Sequence, residues 1–203
     1  MQPFTTLDAI AVPIDIVNCD TDQIIPARFL RRGIDDPQYR EFFFHDLRFE
    51  TSGASKGFVF DSPPYAGAQI IVAQRNWGCG SSRENAVTAL AKNGIRSVIA
   101  PSFGDIHYNN CTKRGVLPIT LSDAECATLR AQLAKTPGAR VQIDLAAQLV
   151  RGPDGVGYPF AMEAFDKERL LSGLDDIDLT MQYAKALDDY EARRGERLDW
   201  LSP

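Results

Sequence analysis

The sequence predicts an α/β domain with parallel strand pairings, closed at its C-terminal end by a helical arm. Three observations lead there. Between Gln69 and Lys135, short apolar strand segments alternate with helical patterns, as in strands joined by crossover helices. A glycine-punctuated loop, Asn76–Trp77–Gly78–Cys79–Gly80–Ser81–Ser82, links the first of these strands to the first helix. From Ala164 onward the pattern is helical, with a break at Ser172–Gly173.

The elements follow in order. Ile10–Val17 is apolar and β-prone, with Pro13 marking an edge or a strand start. Asn18–Gln23 reads as a polar loop, with Asp20 and Asp22 as turn-forming side chains rather than metal ligands. Gln38–His45 suits a short aromatic helix, and Gly57–Phe60 a strand ahead of the Ser-Pro-Pro turn at residues 62–64. Gln69–Ala73, Ser97–Ala100 and Leu117–Thr120 are strands. The helices between and after them run from about Arg83 to Asn93–Gly94, from about Phe103 to Lys113, and from Asp123 to Lys135. Arg140–Leu145 alternates with period two, and the Pro-Asp-Gly turn within Gln148–Tyr158 signals a hairpin. Two helices close the chain, Phe165–Leu171 and Asp175 to about Arg194. The whole is one domain, a core over about 1–160 and an arm over about 161–203.

Composition excludes several function classes. With 22 Lys and Arg against 27 Asp and Glu, the net charge of −5 argues against a nucleic-acid surface. No basic, apolar leader opens the chain, and no apolar run approaches the ~20 residues of a membrane span, so a cytoplasmic protein is expected. Cys19, Cys79, Cys111 and Cys126 form no Cys-x-x-Cys, so no self-contained zinc or iron–sulfur site is expected.

The chemistry concentrates at Gly78–Glu84. Two glycines allow a tight turn and close backbone approach, and Ser81 with Glu84 has the spacing of a capping box. Arg83 sits where a helix dipole disfavours a cation, which suggests a task other than helix stability, and a carboxylate is the natural ligand for it. The plain alternative is a cap beside a solvated charge. Ser81 with His107 and Asp105 as a hydrolase triad is the weaker reading, because the loop is not a Gly-x-Ser-x-Gly elbow. It is not a phosphate-binding glycine loop either.

Gly80–Ser81–Ser82–Arg83–Glu84 resembles the signature of the swivel domain of aconitases and isopropylmalate dehydratases. The likeness extends through Ile99–Phe103, Tyr108–Cys111 and Gly115–Pro118, upstream through Asp20–Pro26, and downstream through Leu170–Leu171 and Gly173–Ile177, where it matches the bacterial small subunits. The resemblance implies a swivelling β/β/α fold and a hydro-lyase of leucine biosynthesis that interconverts 2-isopropylmalate and 3-isopropylmalate through isopropylmaleate. It implies that a 4Fe-4S cluster sits on a separate large subunit, with none bound by this chain. It assigns the catalytic base to Ser81, as an alkoxide, and the holding of a substrate carboxylate to Ser82 and Arg83. Arg31 and Arg32 fall in the loop that tunes the substrate's variable group, although two solvated arginines are the plain alternative. One departure stands out: the pattern has His after Arg-Glu, whereas this chain has Asn85. That keeps a methylmalate or homoaconitate dehydratase, and a non-catalytic swivel paralogue, open as alternatives.

Overall fold

The computed structural model describes residues 1–81, 83–181 and 183–197. One mixed seven-stranded sheet carries the fold. Strand β1 (Thr6–Pro13) is followed by two single-turn helices, α1 (Thr21–Ile24) and α2 (His45–Arg48). Then come β2 (Ile70–Val72), α3 (Glu84–Lys92), β3 (Ser97–Ala100), α4 (Asp105–Arg114), β4 (Leu117–Thr120) and α5 (Asp123–Lys135). The chain continues through β5 (Arg140–Asp144), β6 (Leu149–Arg151), β7 (Gly157–Pro159), α6 (Ala164–Ser172), α7 (Asp176–Met181) and α8 (Ala184–Arg197). The strand order is β4-β3-β2-β1-β5-β6-β7. Pairings are parallel from β4 to β1 and antiparallel from β1 to β7.

The parallel half is buried on both faces, which is why β2 reads Ile-Ile-Val without alternation. Ile71 and Val98 turn to one apolar cluster, with α3, Trp77 and the aromatic side chains of residues 39–65. Ile70, Val72 and Ile99 turn to the other, with α5 and the β5–β7 meander. In β5 the buried side chains are Val141 and Ile143, the alternation of a strand with one wet face.

β1 starts earlier than its sequence suggests and stops at Pro13, in the middle of the sheet rather than at an edge. Its first half pairs with β5 and its second with β2. The Ala11 amide faces Ala139, so Pro13, two residues on, points its missing N–H past the end of β5, where no acceptor is lost.

Other boundaries also moved. Gly57–Phe60 is not a strand: Val59–Asp61 is a 3-10 turn, and Phe58 and Phe60 stack edge-on against Phe44 and Phe43. The aromatic segment is a 3-10 turn, Tyr39–Phe42, separated from α2 by Phe44 in the left-handed region. Within Asn18–Gln23, Asp20 forms a true capping box with Gln23: the Gln23 amide donates to Asp20 Oδ1 (2.7 Å) and Gln23 Oε1 accepts from the Asp20 amide (3.0 Å). The predicted helix from Asp175 is two helices, α7 and α8.

Candidate active site at the C-terminal edge of the parallel strands

Parallel strands deliver their outgoing loops to one edge, the usual place for a site in an open α/β sheet. Here the loops after β1, β2 and β3 converge. Trp77 anchors the middle one. Its side chain is fully buried against Phe44, its amide donates to Ser102 O (3.0 Å), and its carbonyl accepts from the Gly104 amide (2.8 Å). The Gly78 amide donates to Cys19 O (2.7 Å), and the Thr21 amide to Cys79 O (3.1 Å).

Two glycines make this crossing possible. Gly78 has φ +67°, and a Cβ there would lie 2.3 Å from Cγ and Cδ2 of the His107 ring. A Cβ on Gly104 would lie 2.7 Å from Gly78 O. The loop backbone therefore rests on the imidazole of His107 and on the first turn of α4.

His107 does not serve Ser81. It is 1% exposed, and neither ring nitrogen has a hydrogen-bond partner among the described residues, so the triad reading has no geometry behind it. Burial pushes its pKa from the ordinary 6.5 down to about 4. As pH falls below 6.5 the unfolded chain takes up this proton first, so stability is lost between about pH 6.5 and 4. The full loss is about 3 kcal/mol. His107→Phe should remove most of that slope, measurable by urea unfolding at pH 7 and pH 5.

Ser81 is exposed, and its carbonyl accepts from Thr21 Oγ1 (2.6 Å). It caps nothing: the N-cap of α3 is Arg83, which makes no side-chain capping bond, and the Glu84 carboxylate instead accepts from Arg114 Nε (2.7 Å) on α4. The capping box expected of Ser81 and Glu84 is therefore absent. An extended Arg83 at the N-cap leaves Ser81 outside the helix turn, and the nearby Arg114 takes Glu84 sideways.

Arg83 pairs through Nη1 with Oδ1 of Asp22, which also accepts from the Ala27 amide (3.0 Å). This carboxylate offsets the unfavourable position of a cation at the start of α3. Arg83 is thereby held with its side chain one-fifth exposed. Arg31 and Arg32 are brought to the same region by their backbone, since Asn85 Nδ2 approaches Leu30 O at 3.5 Å, the limit of a hydrogen bond. Their side chains are exposed: Arg32 pairs loosely with Asp36 (3.8 Å), and Arg31 makes no ion pair among the described residues. Ser82, the second carboxylate-holding candidate, lies outside the described residues. Thr21, Asp22, Gly104 and the His107 floor were not anticipated. The Asp-x-x-Gln capping signature at residues 20–23, inside the Asp20–Pro26 segment that carries the resemblance, was the signal available for the first two.

Three family models match in succession. The aconitase C-terminal domain matches residues 1–124, LeuD_N matches residues 127–164, and the C-terminal domain of the 3-isopropylmalate dehydratase small subunit matches residues 176–203. A 3-isopropylmalate dehydratase small subunit from Brevibacillus brevis is 44% identical over 195 residues, 96% of this chain and 100% of that one. The chain belongs to the 3-isopropylmalate dehydratase small-subunit family. Within the aconitase superfamily, the fold agrees with a crystal structure of the 3-isopropylmalate dehydratase LeuD from Methanocaldococcus jannaschii. The TM-score is 0.61 at 25% identity, covering 94% of this chain and 99% of that one. The small-subunit designation of this family implies a partner large subunit. No helix among the described residues is long and apolar enough to cross a membrane.

Proposed function

We propose that this chain supplies the proton-accepting and carboxylate-holding half of a cytoplasmic dehydratase that interconverts 2-isopropylmalate and 3-isopropylmalate. The observation that carries the reading is the fastening of one exposed loop from both sides. Thr21 holds the Ser81 carbonyl and Asp22 holds the Arg83 guanidinium, so the two groups are presented together at the sheet edge.

The cysteines of this chain do not suit a metal cluster. Cys19, Cys111 and Cys126 are buried, and burial raises all three thiols, Cys126 to about 12, the opposite of what a thiolate ligand needs. Among the described residues no group of three or more potential ligands could hold a metal. On this reading the iron–sulfur cluster, with its Lewis acid for the departing hydroxyl, sits on the large subunit, as the family resemblance implies.

The task left to this chain is proton transfer. Ser81 Oγ, as an alkoxide, takes the proton from the carbon beside a substrate carboxylate, and in the reverse direction its hydroxyl returns it. A serine hydroxyl is a poor base in water, so the ionised form requires donors and exclusion of solvent. Arg83 and the Glu84 and Asn85 amides at the start of α3 lie next along the chain to provide those donors. Arg83 offers a fork for a substrate carboxylate, which must share it with or take it from Asp22.

Arg83→Lys keeps the charge and loses the fork. Losing a charge-assisted bond worth about 1.5–3 kcal/mol should raise KM by about 10- to 100-fold. The test of the reading is an assay of the chain with its large subunit against 2-isopropylmalate, methylmalate and homoaconitate, using Arg31→Ala and Arg32→Ala beside the parent. Preference for 2-isopropylmalate, shifted by either arginine variant, supports both the substrate and the role of residues 31 and 32. Equal proportional losses on every acid would remove the specificity role, and preference for another acid would change the substrate.

A further inference from the structure

The edge at which the parallel strands begin, opposite the Ser81 loop, carries a cleft of about 730 Å³. Gln69, Arg96 and Val116 line it, and they stand just ahead of β2, β3 and β4 respectively. The Arg96 amide donates to Gln69 O (2.8 Å), and its carbonyl accepts from the Leu117 amide (2.8 Å), so these entry positions share one rim. The rest of the lining comes from the N-terminal segment, from the end of α3 and from Arg114 at the end of α4.

The electrostatics of the cleft run against those of the whole chain. The protein carries 27 Asp and Glu against 22 Lys and Arg, yet among the described residues two arginines and no carboxylate line this cleft. Arg96 is half-buried and makes no ion pair among the described residues. Its Nη1 donates to Gln2 Oε1 and its Nη2 to Pro3 O (3.1 Å), and the guanidinium lies 5.3 Å from the centre of the Phe4 ring. These neutral partners orient the fork without neutralising it. Burial lowers the Arg96 pKa from its ordinary value, the sign of a charge held against desolvation. Arg114 commits Nε and Nη2 to Glu84 Oε1, and its Nη1 finds no acceptor among the described residues. Pro3, Leu7 and Ala91 supply apolar walls beside the two arginines. Apolar walls with a few fixed charged donors are the ordinary build of a small-molecule site, and a guanidinium fork matches a carboxylate.

We propose that this cleft binds a small carboxylate with an apolar body, the carboxylate on Arg96 and Arg114 and the body against Pro3, Leu7 and Ala91. The inference stands apart from the reading of Ser81, since it uses neither that residue nor Arg83. An inorganic anion is the poorer ligand, because it meets the charge and leaves the apolar walls uncovered.

The experiment follows backbone amide shifts by NMR while the full chain is titrated with 3-methylbutanoate, with the uncharged 3-methylbutanamide, or with inorganic phosphate. The expected result is a saturable shift at Gly94, Arg96 and Gly115 with a Kd of about 1 mM, within reach of a ligand of this size. The amide and phosphate should bind about 10-fold more weakly or worse. Arg96→Gln should raise the Kd for 3-methylbutanoate by about 10-fold or more. Because Arg96 also fastens residues 2 and 3, Ala91→Phe serves as the second variant: position 91 is exposed, both arginines remain, and the added ring fills the cleft. It should weaken binding at least as much. Arg83→Gln, at the other edge, should bind like the parent. Parent-like binding by Ala91→Phe overturns the site, as does amide or phosphate binding as tight as that of 3-methylbutanoate. Shifts that are absent, or that disappear in Arg83→Gln, overturn it as well.

Discussion

Ser81→Ala in the assembled dehydratase should slow turnover by about 10²–10⁴-fold, the usual contribution of a positioned proton-transfer group, with KM nearly unchanged. The same substitution should leave the stability of the chain within about 0.5 kcal/mol of the parent, as for an ordinary exposed position. Ser81 is exposed and is not the N-cap of α3; its one bond among the described residues is to its carbonyl, and alanine keeps the carbonyl. Urea unfolding and steady-state kinetics on one preparation separate the two effects. A stable variant turning over within a few-fold of the parent would reduce Ser81 to a loop residue.

The second large effect is on the scaffold beneath. Gly78→Ala should destabilise the chain by about 2–5 kcal/mol. The positive φ costs a side chain about 1–2 kcal/mol, and a methyl group driven into the buried His107 ring adds about 1–3 kcal/mol of overpacking. Gly53→Ala is the matched control. Its φ is also positive, at +83°, but nothing lies within 4 Å of the added Cβ, so only the conformational cost applies. The two variants should therefore differ in their urea midpoints, with Gly78→Ala much the lower. Equal midpoints would mean that His107 moves aside freely and that the loop has no fixed floor.

How much of this was legible in the sequence depends on what fixes each element. The helix expected over Asp123–Lys135 agrees with α5 to the residue; its capping box, Ser122 with Glu125, is made three positions apart along the chain and needs no distant partner. Ser97–Ala100 and Leu117–Thr120 were legible because apolar runs between helices leave few alternatives. Gly57–Phe60 misled because its apolar residues serve an aromatic cluster rather than a neighbouring strand, and strand pairing is not a local property. The Ser81–Glu84 spacing misled for a related reason: Arg114, 30 residues away, competes successfully for the carboxylate.

The site shows the same division. The loop, its glycines and Arg83 were visible as a local conflict with helix chemistry. The resolution of that conflict by Asp22, 61 residues upstream, required the tertiary structure. His107 was visible only as a lone histidine, and its position as the floor under Gly78 follows from the packing of α4. Arg31 and Arg32 were named from the resemblance alone, and their side chains stand in solvent in the isolated subunit.

If this chain supplies an obligatory half of the catalytic centre, a single titration reveals it. Dehydratase activity is followed while the chain is added to a fixed amount of cluster-loaded large subunit. The expected result is no activity in either component alone, a rise to a plateau at one chain per large subunit, and suppression of that plateau when the Ser81→Ala chain competes for the same partner. Activity of the large subunit by itself, or a mixture with Ser81→Ala chain that retains the full plateau, would contradict it.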